Sequence, residues 1–401
     1  MQTRMFVLLS LAVLGTWMVS QAGSSVLLAY RATELNIGIQ DFNYSLIIAI
    51  GWFAQGLATV LFGFVTDAER RRFGSRLRLL WVGIGAFPLS IVLLEISNNW
   101  VSLYGSWFIL ECITGALTAT CFGIAGEYIS DDYIGYMSGI FGAMPGIALL
   151  AGVAVADTRL VAGTFMFYSA GLASMILLLP LALYYTANHR LMVVAEAVVK
   201  SPYRLGLGRL FILVAMITAA AAAIQTYPVQ YLSSEVHVST EQVPEQIGWL
   251  GLAAVGGVII GSLISGAVMV RLRGGLQVIA AAALIQAIGL ALMHSASDSG
   301  YYLLFYAFVS LGIGATAGTL TATAVWTLGR HGVVGRNLSM ISAAQAVPYF
   351  ALPIYAIYSR QGISWHETID NMFVIAAVLS VLAIVPLSWN RITESAIKQS
   401  K

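Results

Sequence analysis

The chain is 401 residues long, 59% hydrophobic and only 9% charged, with a net charge of +2; an ordinary soluble domain is roughly 25% charged. A mean hydropathy of +0.84 excludes a globule wetted on all sides, and no nucleic-acid partner is expected of so few cations. What remains is a chain whose main partner is the lipid bilayer.

A membrane span needs about 20 apolar residues. Twelve such stretches are predicted, at 5–30, 43–66, 77–96, 100–126, 134–156, 160–186, 207–232, 246–270, 275–294, 301–329, 335–359 and 367–389. In span one, Arg4 before an apolar run and Ser20-Gln21-Ala22 imitate a signal peptide. Cleavage there would leave eleven spans and break the twofold pattern described below, so the run is read as a span. Its polar row at helical spacing is Trp17, Gln21 and Ser24. Gln55 is the strongly polar side chain of span two. After it comes GFVTDAERRRFGSRLRLLWVG, with Arg70, Arg71, Arg72, Arg76 and Arg78 within nine residues.

Glu95 is placed at the outer end of span three. In span four, Glu111 is the one acid well inside a predicted span, with Thr114, Gly115 and Thr118 on its helical face. A carboxyl at that depth is costly, and such residues usually mark function. Cys112 and Cys121 lie nine residues apart on the same helix, about 13 Å, too far for a disulfide. A connection over 187–208 separates two bundles, 1–186 and 209–401. Span seven offers Gln225, Tyr227 and Gln230 around Pro228; span ten offers Thr316, Thr319, Thr323 and Trp326; span eleven offers Gln345. The five histidines, 189, 237, 294, 331 and 366, fall at span ends or loops without metal-ligand spacing. With no phosphate loop, dinucleotide motif or nucleophile elbow, neither an enzyme nor a cofactor is expected.

Lys and Arg of short loops stay cytoplasmic. With the N-terminus inside, seventeen of the twenty basic residues fall on that side, against Arg31, Arg159 and Arg360 outside. Both termini are therefore expected in the cytoplasm, and the compact loops suit a bacterial inner membrane.

The chain also repeats itself at an offset of 203 residues. TGALTAT (Thr114 to Thr120) returns as AGTLTAT (Ala317 to Thr323), Gly63 falls on Gly266, and Pro145 falls on Pro348. A duplicated six-span unit follows.

Twelve spans in two parallel six-span halves resemble the major facilitator transporters. The loop after span two is similar to that family's glycine, aspartate and basic-run motif, carried here by Gly63, Asp67, Arg70, Arg72, Gly74 and Arg76. The Arg-Phe-Gly portion, and GRNLSMISAAQAVPYFALPI in span eleven, resemble the sucrose-type glycoside branch. That branch usually has Gln-Arg-Gly between spans four and five, where this chain has Tyr133-Ile134-Gly135. Span two lacks the paired acids of melibiose-type relatives, so sodium coupling is not expected.

The resemblance implies an all-α integral membrane protein with two pseudo-symmetric six-helix bundles, a monomer. Spans one, four, seven and ten would line a midplane cavity. Trp17, Gln21, Ser24, Thr114, Thr118, Gln225, Tyr227, Gln230, Thr319, Thr323, Trp326 and Gln345 are its expected substrate-binding residues. Hydroxyls, amides and indoles suit a polyhydroxy solute such as a sugar, and the lone Glu111 suits proton symport. The motif residues would form a latch between halves, with Asp67 paired to arginines or set against the start of span eleven. Two rival readings are proton-antiport efflux, from the glycine- and proline-rich GIFGAMPGIALLAG of span five, and a non-transporting sensor of the same fold.

Overall fold

The computed structural model describes residues 2–28, 31, 35, 42–155, 166–189, 206–227, 243–272, 275–296, 299–328, 334–359 and 362–385. Among the described residues there are twelve long α-helices and no strand. They are α1 (Gln2–Ala22), α2 (Phe42–Phe73), α3 (Leu77–Glu95), α4 (Trp100–Tyr128), α5 (Asp131–Val155), α6 (Met166–Asn188), α7 (Leu207–Thr226), α8 (Val243–Leu272), α9 (Leu276–His294), α10 (Ser299–Leu328), α11 (Val334–Ser359) and α12 (Trp365–Leu382). Eleven of them are long and apolar enough to cross a membrane. The remaining one, α12, runs 18 residues and carries Glu367 in its first turn. Helices are the natural answer for such a sequence, because a helix satisfies its own backbone where no water can.

Local chemistry sets several ends. Asn99 and Ser102 cap α4 reciprocally, as Ser364 and Glu367 cap α12. Span seven was predicted to reach 232, but α7 stops at Thr226, and Tyr227 is already non-helical (φ −133°, ψ 47°). Pro228 follows, and proline disfavours helical geometry in the residue before it. In the other direction, α2 runs past the predicted 66 to Phe73. Asp67, Arg70 and Arg72 therefore lie on its last two turns rather than in a loop, and the chain reverses at Gly74, whose φ of +75° favours glycine.

The described chain divides into two compact units: Met1–Asp131, Met144–Glu196 and Arg330–Ile357 form unit 1, and Asp132–Ala143, Ala197–Gly329 and Tyr358–Lys401 form unit 2. In unit 1, α2 and α3 pack on α4, and α1 on α4 and α6, with α3 also on α6. In unit 2, α8 and α9 pack on α10, and α7 on α10 and α12, with α9 also on α12. A shift of six helices converts one set into the other, so the repeat in the sequence is a repeat in packing.

Small residues make these approaches possible. In unit 2, Gly257, Gly261, Gly314 and Gly318 set α8 directly against α10, and Ser262 Oγ donates to Gly314 O at 2.8 Å. Gly139 of α5 meets Ser262 and Gly266 of α8, while Gly142 meets the backbone of Ala317 and Gly318. In unit 1, α2 and α11 run antiparallel along Trp52–Tyr349 (rings stacked, 4.3 Å apart), Gly56–Ala346 and Gly63–Ser339. A side chain at Gly261 would meet Leu311 O and Ala315 N. Gly261→Val is therefore expected to cost about 1–3 kcal/mol through overpacking, read as a lower thermal-unfolding midpoint in detergent.

Candidate functional site

At the basic end of unit 1 the motif residues converge on one buried carboxylate. Asp67, 3% exposed, accepts from the first backbone amides of α11: Gly335 N at 3.1 Å and Arg336 N at 2.8 Å. Those amides are the unsatisfied, positive end of the helix. Asp67 Oδ1 also accepts from Arg76 Nη2 at 2.8 Å. Arg76 is itself 2% exposed, and its Nε lies 3.5 Å from Glu127 Oε2, while Arg70 Nε donates to Glu127 Oε1. The four side chains sum to zero charge, which keeps so deep a cluster tenable.

Backbone without side chains makes room for it. A Cβ on Gly335 would stand 2.5 Å from Asp67 Oδ1, one on Gly63 would stand 2.5 Å from Ser339 Cβ, and one on Gly123 would press on the Arg76 guanidinium. Arg70 also closes the turn, donating to Gly74 O at 2.6 Å. Arg72 does not join the cluster; it is exposed, with its guanidinium 5.2 Å from the Phe73 ring. Two partners were missed in the sequence. Glu127 lies one residue beyond the predicted end of span four, and buried Glu69 accepts from Arg78 N and Leu79 N at the start of α3. The signal available was an acid at a helix end in each case, Glu69 directly before the arginine run and Glu127 in the last turn of α4.

A second polar site lies among α1, α2 and α4. Trp107, 1% exposed, lies against Gly23, just past the end of α1, and Gly51 of α2, where neither glycine could carry a side chain. One turn nearer the basic end, Ser20 Oγ lies 2.8 and 3.0 Å from the two oxygens of Glu111, which is 3% exposed. About two further turns along α4, Trp17 Nε1 donates to Thr118 Oγ1 at 3.1 Å. Thr114, between them and wholly buried, has no partner for its hydroxyl among the described residues. Gln21 is 8% exposed, and just beyond it α1 relaxes into a π-helical segment, Gly23–Leu27. Ser24 Oγ donates to Gln21 O at 3.4 Å. Ser20 escaped the sequence reading because a serine in a membrane helix carries little signal alone.

The residues expected from the second half are placed differently. Gln286 of α9 donates to Thr316 Oγ1 at 3.0 Å, and Thr319 Oγ1 donates to Thr316 O at 2.7 Å. Thr323 lies against Gly275 at the start of α9. The α10 threonine row thus meets α9 inside unit 2. Trp326 Nε1 is buried without a partner. Gln225 ends α7, Tyr227 is buried at its C-cap, and Gln345 is half-buried on α11. Gln230 and Pro228 lie outside the described residues.

The family model described as Major Facilitator Superfamily matches residues 5–353. The chain belongs to the Major Facilitator Superfamily. No curated protein sequence matches it. Among solved structures it is similar to the human organic anion transporter TETRAN, at 14% identity and a TM-score of 0.71, covering 96% of this chain and 98% of that one. It is likewise similar to a bacterial homologue of the iron transporter ferroportin, at 13% identity and a TM-score of 0.71, covering 97% and 99%. At such identities these likenesses show the fold alone. Membership makes this chain a multi-pass membrane transporter.

Removing one partner of a buried pair strands the other charge, at about 3–5 kcal/mol. Arg76→Ala is therefore expected to lower the unfolding midpoint sharply, leaving Arg70 alone against the two acids Asp67 and Glu127. Arg72→Ala, on the exposed face, should change stability by no more than about 0.5 kcal/mol.

Proposed function

We propose that this facilitator is a proton-coupled symporter of a small, uncharged polar solute, a sugar or glycoside, working as a monomer by alternating access. The observation that supports the coupling is Glu111. Its carboxyl is buried between α1 and α4, and its hydrogen-bond partner is a hydroxyl, with no cation paired to it among the described residues. A membrane-buried acid of this kind is characteristically functional, and proton relays use them. A proton taken from one side and released to the other would link solute movement to the gradient, worth about 2.3 kcal/mol per charge per 100 mV.

The solute class rests on the chemistry beside that acid. Trp17, Gln21, Ser24, Thr114 and Thr118 offer hydroxyl, amide and indole groups, able to exchange hydrogen bonds in both directions and to stack on a ring. Gln345, Gln225 and Tyr227 are further candidates of the same chemistry. The Asp67 cluster is read as the latch of the cycle, its contacts with the start of α11 breaking and reforming as access alternates. The basic-residue bias supports cytoplasmic termini in a bacterial inner membrane. For efflux by proton antiport, the sequence offered the span-five glycines. Gly139, Gly142 and Gly152 each meet a neighbouring helix, and packing accounts for them.

Reconstituted protein in liposomes with an imposed pH gradient tests the reading. Wild type should accumulate a neutral sugar on the alkaline side. Glu111→Gln should lose gradient-driven accumulation while keeping sugar counterflow. Expulsion of hydrophobic cations against the same gradient, with no sugar movement, would replace symport by antiport.

A further inference from the structure

In hydrocarbon an amide without a hydrogen bond is expensive, so buried amides are normally satisfied within the protein. Gln286 of unit 2 obeys this: 1% exposed, it donates to Thr316 Oγ1 at 3.0 Å and accepts from Ser380 Oγ at 3.5 Å. In unit 1, Gln55 and Gln21, 5% and 8% exposed, make no side-chain hydrogen bond among the described residues, and their amide atoms are not wholly closed off as Thr114 Oγ1 is. Gln55 lies on the side of α2 opposite its exposed row of Phe53, Leu57, Leu61 and Phe64.

The level of these groups follows from the Trp107 indole, which ties Gly23, Gly51 and α4 together. One turn toward the basic end brings α1 to Ser20, α2 to Gln55 and α4 to Glu111. Thr114, with its orphan hydroxyl, is one turn further along α4. The 203-residue repeat supplies the comparison. Ser20, Gln55, Trp107, Glu111 and Thr114 correspond to Ala223, Val258, Ser310, Gly314 and Ala317. There the space is closed: a Cβ on Gly314 would stand 2.7 Å from Val258 Cα. The corresponding positions of unit 2 carry no amide and no carboxyl; Ser310 is the polar one among them, its hydroxyl buried without a partner among the described residues.

We infer that the polar recognition site for the solute lies within unit 1, where Gln55 of α2, with Gln21 and Thr114, hydrogen-bonds an uncharged, hydroxyl-rich ligand beside Glu111. This rests on the symport reading for the nature of the ligand, and adds Gln55 and the restriction to one unit. Its amide both donates and accepts, matching a hydroxyl in either role. The unpaired amides are tolerated for the sake of binding, since functional sites commonly sacrifice stability.

The test uses full-length protein in detergent: wild type, Gln55→Leu, Gln286→Leu and Thr321→Val. Without ligand, Gln55→Leu should unfold at or above the wild-type temperature, since an unanswered polar group is removed. Gln286→Leu should unfold lower. Binding is then measured for sucrose, maltose and methyl glucoside, with citrate and tetraphenylphosphonium as charged comparators. The sugar that binds wild type should bind Gln55→Leu about tenfold or more weakly, the loss of one or more ligand hydrogen bonds, while Thr321→Val binds as wild type. Unchanged sugar affinity in Gln55→Leu, or destabilisation matching Gln286→Leu, overturns the inference and leaves symport standing. Binding of a charged comparator alone overturns the sugar reading, and Gln55→Leu measured on that ligand decides the site. If no probe binds, the unliganded unfolding temperatures decide it.

Discussion

A polar group inside a bilayer has no water to bond, so each one must be answered by the protein itself or stand open for something that arrives. The Asp67 cluster shows how far the chain goes to meet that constraint. Two acids and two arginines neutralise one another, and the unsatisfied amides that begin α11 are turned onto the same carboxylate. Glycines at 63, 123 and 335 are part of that chemistry, because side chains there would hold the charges apart. Glu69 answers the amides of α3 in the same way.

The same constraint explains the character of unit 2. Its interfaces are built from glycine, serine and alanine, with Ser262 bonded to a backbone carbonyl and Gln286 joining α9, α10 and α12. Ser310 Oγ, Thr323 Oγ1 and Trp326 Nε1 remain buried without a partner among the described residues. Unit 1 kept larger polar groups in the equivalent positions, and its Trp107 wedge sets them one turn below an aromatic floor. The two units thus share one packing scheme and differ in the polar side chains it carries.

Much of this fold was legible in the residues. Long apolar runs have one stable solution in lipid, and the recurrence of TGALTAT as AGTLTAT marked the duplication that the helix packing repeats. Glu111 stood out because an acid in hydrocarbon is rare. Glu127 did not, since a span boundary is soft and one residue moved it outside. The spacing of the α10 threonines puts them on one face, and within unit 2 Thr316 bonds Gln286 and Thr323 meets Gly275, both at α9. Periodicity tells which residues share a face, but not which neighbour the face meets.

The sequence by itself determined the class of structure, the number and order of its helices and the concentration of charge at one set of ends. These follow from properties each segment carries alone: hydropathy, length and breaking residues. Only tertiary structure decided which polar groups answer one another. Asp67 and Gly335 are far apart in the chain, as are Ser20 and Glu111, and their meeting depends on close helix approach through glycines on still other segments. It also decided which groups go without a hydrogen bond among the described residues: the amides of Gln21 and Gln55 read like any other polar residue in the sequence.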